Sequence, residues 1–202
     1  MMILRFAPAS PFVRKVRIAA GVLGLTGDIE LQPTDPSKSD EKFWRENPLG
    51  KIPVLIDEDG AKYYDSRVIV EYLDQRAGGD RVIPRDGAAR FAALRLQALA
   101  DGICDALLLQ VYEGRYRPPE KLVQSWIDLQ AGKVARGLAV LEAPPPKLTS
   151  PPDVGQIALA CALGYGDLRF KGEWRAKHPR LVAWLDQFAA KVPSFGETKM
   201  AA

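Results

Sequence analysis

The chain has 202 residues, 47% hydrophobic and 26% charged, a balance that excludes disordered, collagenous and fibrous classes and predicts a folded core. Lys and Arg outnumber Asp and Glu by 28 to 25, and the resulting net charge of +3 is scattered along the chain, too weak a field to indicate nucleic acid. No apolar run approaches the roughly 20 uninterrupted residues of a membrane-spanning helix, so no membrane partner is expected either.

Met1 to Phe6 lacks the basic, apolar and small-residue segments of a secretory signal, and Ile3 to Phe6 reads as a strand. Val13, Val16, Ala20 and Leu23 then mark one face of a helix, and Ile29 to Leu31 reads as a second strand, completing a β-α-β unit. Asn47-Pro48-Leu49-Gly50 is turn chemistry ahead of the apolar run Ile52 to Ile56. Glu58-Asp59-Gly60 predicts a hairpin turn into Ala61 to Tyr64, and a helix opens at Asp65-Ser66 and stops at Gly78-Gly79. The order is therefore β-α-β, loop, β-β-α over residues 1–79.

Residues 80–86 mix charge and proline without periodicity, which predicts a linker. From Ala88 onward only helical patterns recur, so residues 87–202 are expected to form an all-helical second domain. Phe91, Leu94, Ala98 and Ile103 mark one helix; Ile127, Val134, Leu138 and Leu141 mark the next. Ser150-Pro151-Pro152-Asp153 reads as a capping box, with a helix beginning at Pro151 or Pro152. That helix carries Ala160, Cys161 and Gly164, small residues suited to close approach, and a final helix runs from Pro179 to Lys191. Cys104 and Cys161 sit in apolar helical patterns as small buried hydrophobes, which fits a reducing cytoplasm and not a disulfide framework. His178 is the single histidine and reads as a surface or capping residue, so no metal site is expected.

Three places could carry chemistry. Ser10-Pro11-Phe12-Val13 stands where strand passes to helix; Ser10 read alone is an N-cap, but a hydroxyl beside the unpaired N–H groups of a helix N-terminus can also stabilise an anion such as a thiolate. Pro53 before a buried strand is either a strand-initiating trans proline or a cis bond that turns the Ile52 backbone outward to pair with an extended peptide. Asp65 and Ser66 open a helix and are capping residues, or else receive the charged end of a ligand.

In order and spacing these segments resemble the glutathione transferase superfamily. Ser10 to Val16 is similar to that family's first-helix motif, Asn47 to Leu55 to its central signature ending in a cis proline, Asp65-Ser66 to its acid-serine pair, and Ser150 to Asp153 to its sixth-helix capping box. The resemblance implies an α+β protein of two domains, thioredoxin-like in front and all-α behind, working as a homodimer with glutathione as cosubstrate and no metal. It implies that Ser10 donates to the glutathione sulfur, Ile52 pairs with its cysteinyl backbone and Asp65 with Ser66 holds its γ-glutamyl end. Lys51 and Lys38 would meet the glycyl carboxylate, and Asp101, expected to be exposed, would reach across the dimer.

An electrophilic small molecule would lie against Phe12, Tyr112, Tyr116, Tyr165 and Arg169, and Arg115, Arg117 and Arg169 hint at a polar or anionic one. The motif at Ser10 also resembles the Cys-Pro sites of glutaredoxins and omega-type transferases with the sulfur removed. The expected activity is conjugation in detoxification; a non-catalytic glutathione-fold binding protein and a glutathione-dependent isomerase or lyase are the alternatives.

Overall fold

The computed structural model describes residues 1–38 and 40–200. Four strands, β1 (Met2–Phe6), β2 (Ile29–Pro33), β3 (Val54–Ile56) and β4 (Lys62–Tyr63), form one mixed sheet in the order β2-β1-β3-β4. The pair β1/β2 is parallel with Leu4 opposite Leu31; β1/β3 and β3/β4 are antiparallel, with Leu4 opposite Leu55 and Leu55 opposite Tyr63. A parallel pair needs a crossover, and α1 (Pro11–Leu23) supplies it. Val13, Val16, Ala20 and Leu23 are all buried, so the expected face is the one that packs. The helix stops at Gly24, whose left-handed φ of 77° lets its N–H reach the Ala20 and Gly21 carbonyls.

Where a loop was expected between β2 and β3, the chain forms a single turn of helix, α2 (Glu41–Trp44), because Asp40 accepts from the Phe43 N–H at 3.0 Å. The following helix, α3 (Ser66–Arg76), is capped by Asp65 and packs against α1. Residues 80–86 carry no helix or strand, yet they are not loose. Val82 and Ile83 are buried, the Val82 N–H donates to Asp74 Oδ1 at 2.8 Å, and its carbonyl accepts from Val154 at 2.8 Å. Among the described residues five α-helices follow: α4 (Gly87–Tyr116), α5 (Gln124–Glu142), α6 (Val154–Phe170), α7 (Pro179–Lys191) and α8 (Pro193–Glu197), the last a short helix opened by Pro193 that corrects the expectation of α7 as the final one.

Helix α6 is buried almost throughout, between α4 and α1, and its glycines decide how close they come. A Cβ at Gly155 would stand 2.6 Å from the Ala93 carbonyl oxygen of α4. The capping expectation for this helix is corrected: the N-cap is Asp153, which accepts from the Gln156 N–H at 2.9 Å, and not Ser150. Pro152 disfavours helical geometry at Pro151, so the helix starts only past both prolines. His178 is also corrected. It stands at the start of α7 but is buried, its Nδ1 2.7 Å from the Trp174 carbonyl, and its side chain makes no cap. Cys104 and Cys161 are both free and buried. No helix among the described residues is long and apolar enough to cross a membrane.

Candidate active site

Ser10 occupies the N-cap of α1, with Pro11 at the first helical position, and its Oγ lies 3.3 Å from the Val13 N–H it caps. Ser10 also lines a cavity of about 630 Å³ between the start of α1 and helices α6, α7 and α8; Arg14, Tyr165, Leu168, Leu185 and Phe195 form much of its wall. A serine hydroxyl that accepts once keeps its own hydrogen to donate.

Two further elements converge on the same end of the sheet. The Ile52–Pro53 peptide is cis, with Pro53 buried and Ile52 half-buried just before β3; Tyr64–Asp65 is cis as well. The turn ahead of it is held by Asn47, whose Nδ2 donates to the Lys51 carbonyl at 2.8 Å. Asp65 is exposed and accepts from the Arg67 N–H at 2.9 Å, while Ser66 is buried at the first position of α3. Lys51 is exposed, and its charge reaches Asp105 on α4. Burial, then the neighbouring Asp101 carboxylate, pushes the Asp105 carboxyl up; Arg67 and Lys51 pull it down.

Asp101 departs from expectation. It is buried, not exposed: Lys15 Nζ donates to both its oxygens at 2.8 and 2.9 Å, and Arg67 Nε donates to Oδ2 at 2.9 Å. One carboxylate therefore ties α1, α3 and α4 together, fixing the helix start that carries Ser10 against the one that carries Asp65 and Ser66.

The chain matches the family model described as "Glutathione S-transferase, N-terminal domain" over residues 4–81 and that described as "Glutathione S-transferase, C-terminal domain" over residues 124–187. It is 34% identical over 194 residues to the uncharacterized GST-like protein YibF of Escherichia coli K12, covering 94% of each chain. The chain belongs to the glutathione S-transferase superfamily. A glutathione transferase family member from Pseudomonas fluorescens Pf-5, solved with bound glutathione, superposes with a TM-score of 0.93 at 45% identity, covering 100% of both chains. A structure of a family member from the same organism with bound S-(propanoic acid)-glutathione gives a TM-score of 0.88 at 44% identity, again over 100% of both.

Within this glutathione S-transferase fold, a thioredoxin-like sheet domain is followed by an all-helical domain. Of the residues expected around a second substrate, the cavity at Ser10 includes Tyr165. Phe12 is half-buried, with Lys15 Nζ 5.9 Å from its ring centre; Tyr112 and Tyr116 stack edge to face at 5.1 Å near the end of α4. Burial pushes the Tyr165 hydroxyl up in pKa, against a pull down from Arg169, whose Cζ lies 5.9 Å from the Tyr165 ring centre. The Nε of Arg169 is buried without a hydrogen-bond partner among the described residues. Lys38 is exposed in a helical turn before α2, where hydrogen bonds from Ser37 hold the Asp35 carboxyl below its usual range, helped by Lys38 and Arg115.

Lys15, Arg67, Asp105 and Arg14 were given no individual role by sequence reasoning. Lys15 carried one signal, a cation on the buried side of an otherwise apolar helix.

Proposed function

We propose that the chain is a glutathione transferase in which Ser10 donates a hydrogen bond to the thiolate of glutathione, which attacks an electrophilic small molecule held in the adjoining cavity. The observation that carries this reading is a donor-competent hydroxyl at a helix N-terminus, opening onto a cavity of a volume that suits a small organic ligand. Relatives bound to glutathione and to an S-substituted glutathione support a site with room for the tripeptide and its substituent.

Residues 1–79 form the glutathione-binding unit in this reading and 87–202 the helical unit. The Ile52 backbone pairs with the cysteinyl residue, Asp65 and Ser66 hold the γ-glutamyl group, and Lys51 with Lys38 meets the glycyl carboxylate. Asp101 is a positioning residue, since both its oxygens are committed within the chain to Lys15 and Arg67. Val68 on α3 and Phe91 on α4, exposed apolar residues on the two helices that the Arg90–Glu71 ion pair links, support a homodimer, and conjugation in the cytoplasm completes the reading.

The test is glutathione stoichiometry with a panel of halogenated and unsaturated electrophiles. One glutathione consumed per product supports the transferase. Substrate rearranged with glutathione regenerated would point to an isomerase, glutathione oxidised to its disulfide to a reductive lyase, and saturable binding with turnover at the level of buffer to a binding protein.

A further inference from the structure

Arg14 lies one helical turn beyond Ser10 on α1, and both line the same cavity. Its Nη2 donates to the Phe195 carbonyl at 2.8 Å, its Nε to Thr198 Oγ1 at 3.4 Å, and its Cζ stands 4.1 Å from the centre of the Phe195 ring. None of these partners is charged. Among the described residues no carboxylate comes within ion-pairing distance of this guanidinium. Asp167, the acid whose field reaches it, is already bound by Arg175 at 2.7 and 2.8 Å and by Trp174 Nε1 at 2.9 Å.

Nη1 has no hydrogen-bond partner among the described residues and lies over Gly164, where a Cβ would collide with it. Burial depresses the Arg14 pKa, yet a guanidinium stays charged in a protein. Arg14 is half-buried, and a cation held partly out of water without an ion-pair partner is costly, a cost that an anionic ligand offsets. Three cations, Arg14, Arg175 and Lys199, face the cavity against two carboxylates, Asp167 and Asp186; the rest of the wall includes Leu168, Leu185, Ala189 and Phe195.

We propose that the cavity selects a small electrophile with an apolar body and a carboxylate, and that Arg14 receives the carboxylate. This rests on the transferase reading above and names its substrate class. With β-bromopropanoate as the probe, the glutathione sulfur forms the C–S bond as the C–Br bond breaks. Bromide leaves with the bonding pair, and the thiol proton goes to solvent.

The experiment has two arms. Calorimetry compares S-(β-carboxyethyl)glutathione with its amide, S-(β-carbamoylethyl)glutathione; turnover compares β-bromopropanoate with β-bromopropanamide. Wild-type protein should bind the carboxylate about tenfold more tightly than the amide, the value of one hydrogen bond to a charged group, and Arg14→Met should bring the two within about twofold. Thr198→Val, which loosens the same tail anchor but leaves the cation, should keep the preference. Equal wild-type affinities would overturn the anion site, as would a Thr198→Val variant that loses the preference as Arg14→Met does. A retained preference with no turnover of either bromide would overturn the transferase reading alone, and no binding of either conjugate would overturn both.

Discussion

Replacing Ser10 by alanine separates a helix cap from a thiolate donor. The capping bond is 3.3 Å long, beyond the usual N–H···O range of about 2.7–3.2 Å, so its loss should cost only about 0.5–1 kcal/mol of stability. The donated bond to sulfur is the larger effect. A hydrogen bond to a charged acceptor contributes about 1.5–3 kcal/mol, which at about 1.36 kcal/mol per pKa unit lowers the thiol by about one to two units from its free value of about 8.5. Because the folded complex lowers this pKa, the thiolate is present above the bound value and lost as pH falls through it. Ser10→Ala should move that limb upward by about one to two units, cut conjugation near pH 7 by about eight- to twenty-five-fold and restore it in alkali. Glutathione affinity should change little, since the proposed backbone and Asp65 contacts do not involve the Ser10 hydroxyl. Ultraviolet thiolate titration of the bound tripeptide, beside the pH profile of turnover, reads both. An unshifted thiolate titration in Ser10→Ala would refute the donor role and leave Ser10 as a cap.

Asp101→Asn should destabilise the protein by about 3–5 kcal/mol in urea unfolding, because Lys15 would remain buried without a counter-charge; a loss below about 1 kcal/mol would contradict the buried triad. At Gly155, alanine should cost about 1–3 kcal/mol, seen as a lower melting temperature, since the added methyl meets α4 backbone that cannot swing aside. Burial pushes the Cys161 thiol up to about 12 and Cys104 well above its usual value, so neither should be alkylated by iodoacetamide in the native protein, and mass spectrometry that finds rapid labelling would sink that expectation. Ser10→Cys should instead gain one reactive thiol that forms a mixed disulfide with glutathione, detected as the adduct mass. Phe91→Glu should shift the mass measured by light scattering from dimer to monomer; a monomeric wild type would remove the dimer from the reading.

Much of the architecture was legible because it is written in local patterns. The buried face of α1 and both ends of α7 follow from apolar spacing and from prolines at helix starts. The caps at Ser10 and Asp65 and the cis bond at Pro53, on which the proposed site rests, were legible too, as turn and cap residues at the ends of elements. What misled was competition among neighbouring caps: Ser150 and Asp153 both offer an acceptor, and only the backbone restriction at Pro151–Pro152 decides between them. Helix α2 escaped notice because a four-residue helix has too little period to register.

The sequence alone determined the longer elements, their order and the chemistry available at each junction, since hydrophobic period and turn residues act over a few positions; the short helices α2 and α8 were not among them. Tertiary structure alone decided which charges meet. Lys15 finds Asp101 86 residues away, turning an acid expected at the surface into the tie between three helices. Arg14 reaches Phe195 from 181 residues away and stands beside the cavity without an ion pair among the described residues. Long-range ion pairing depends on how helices cross and on what each side chain finds there, and no period along the chain encodes that.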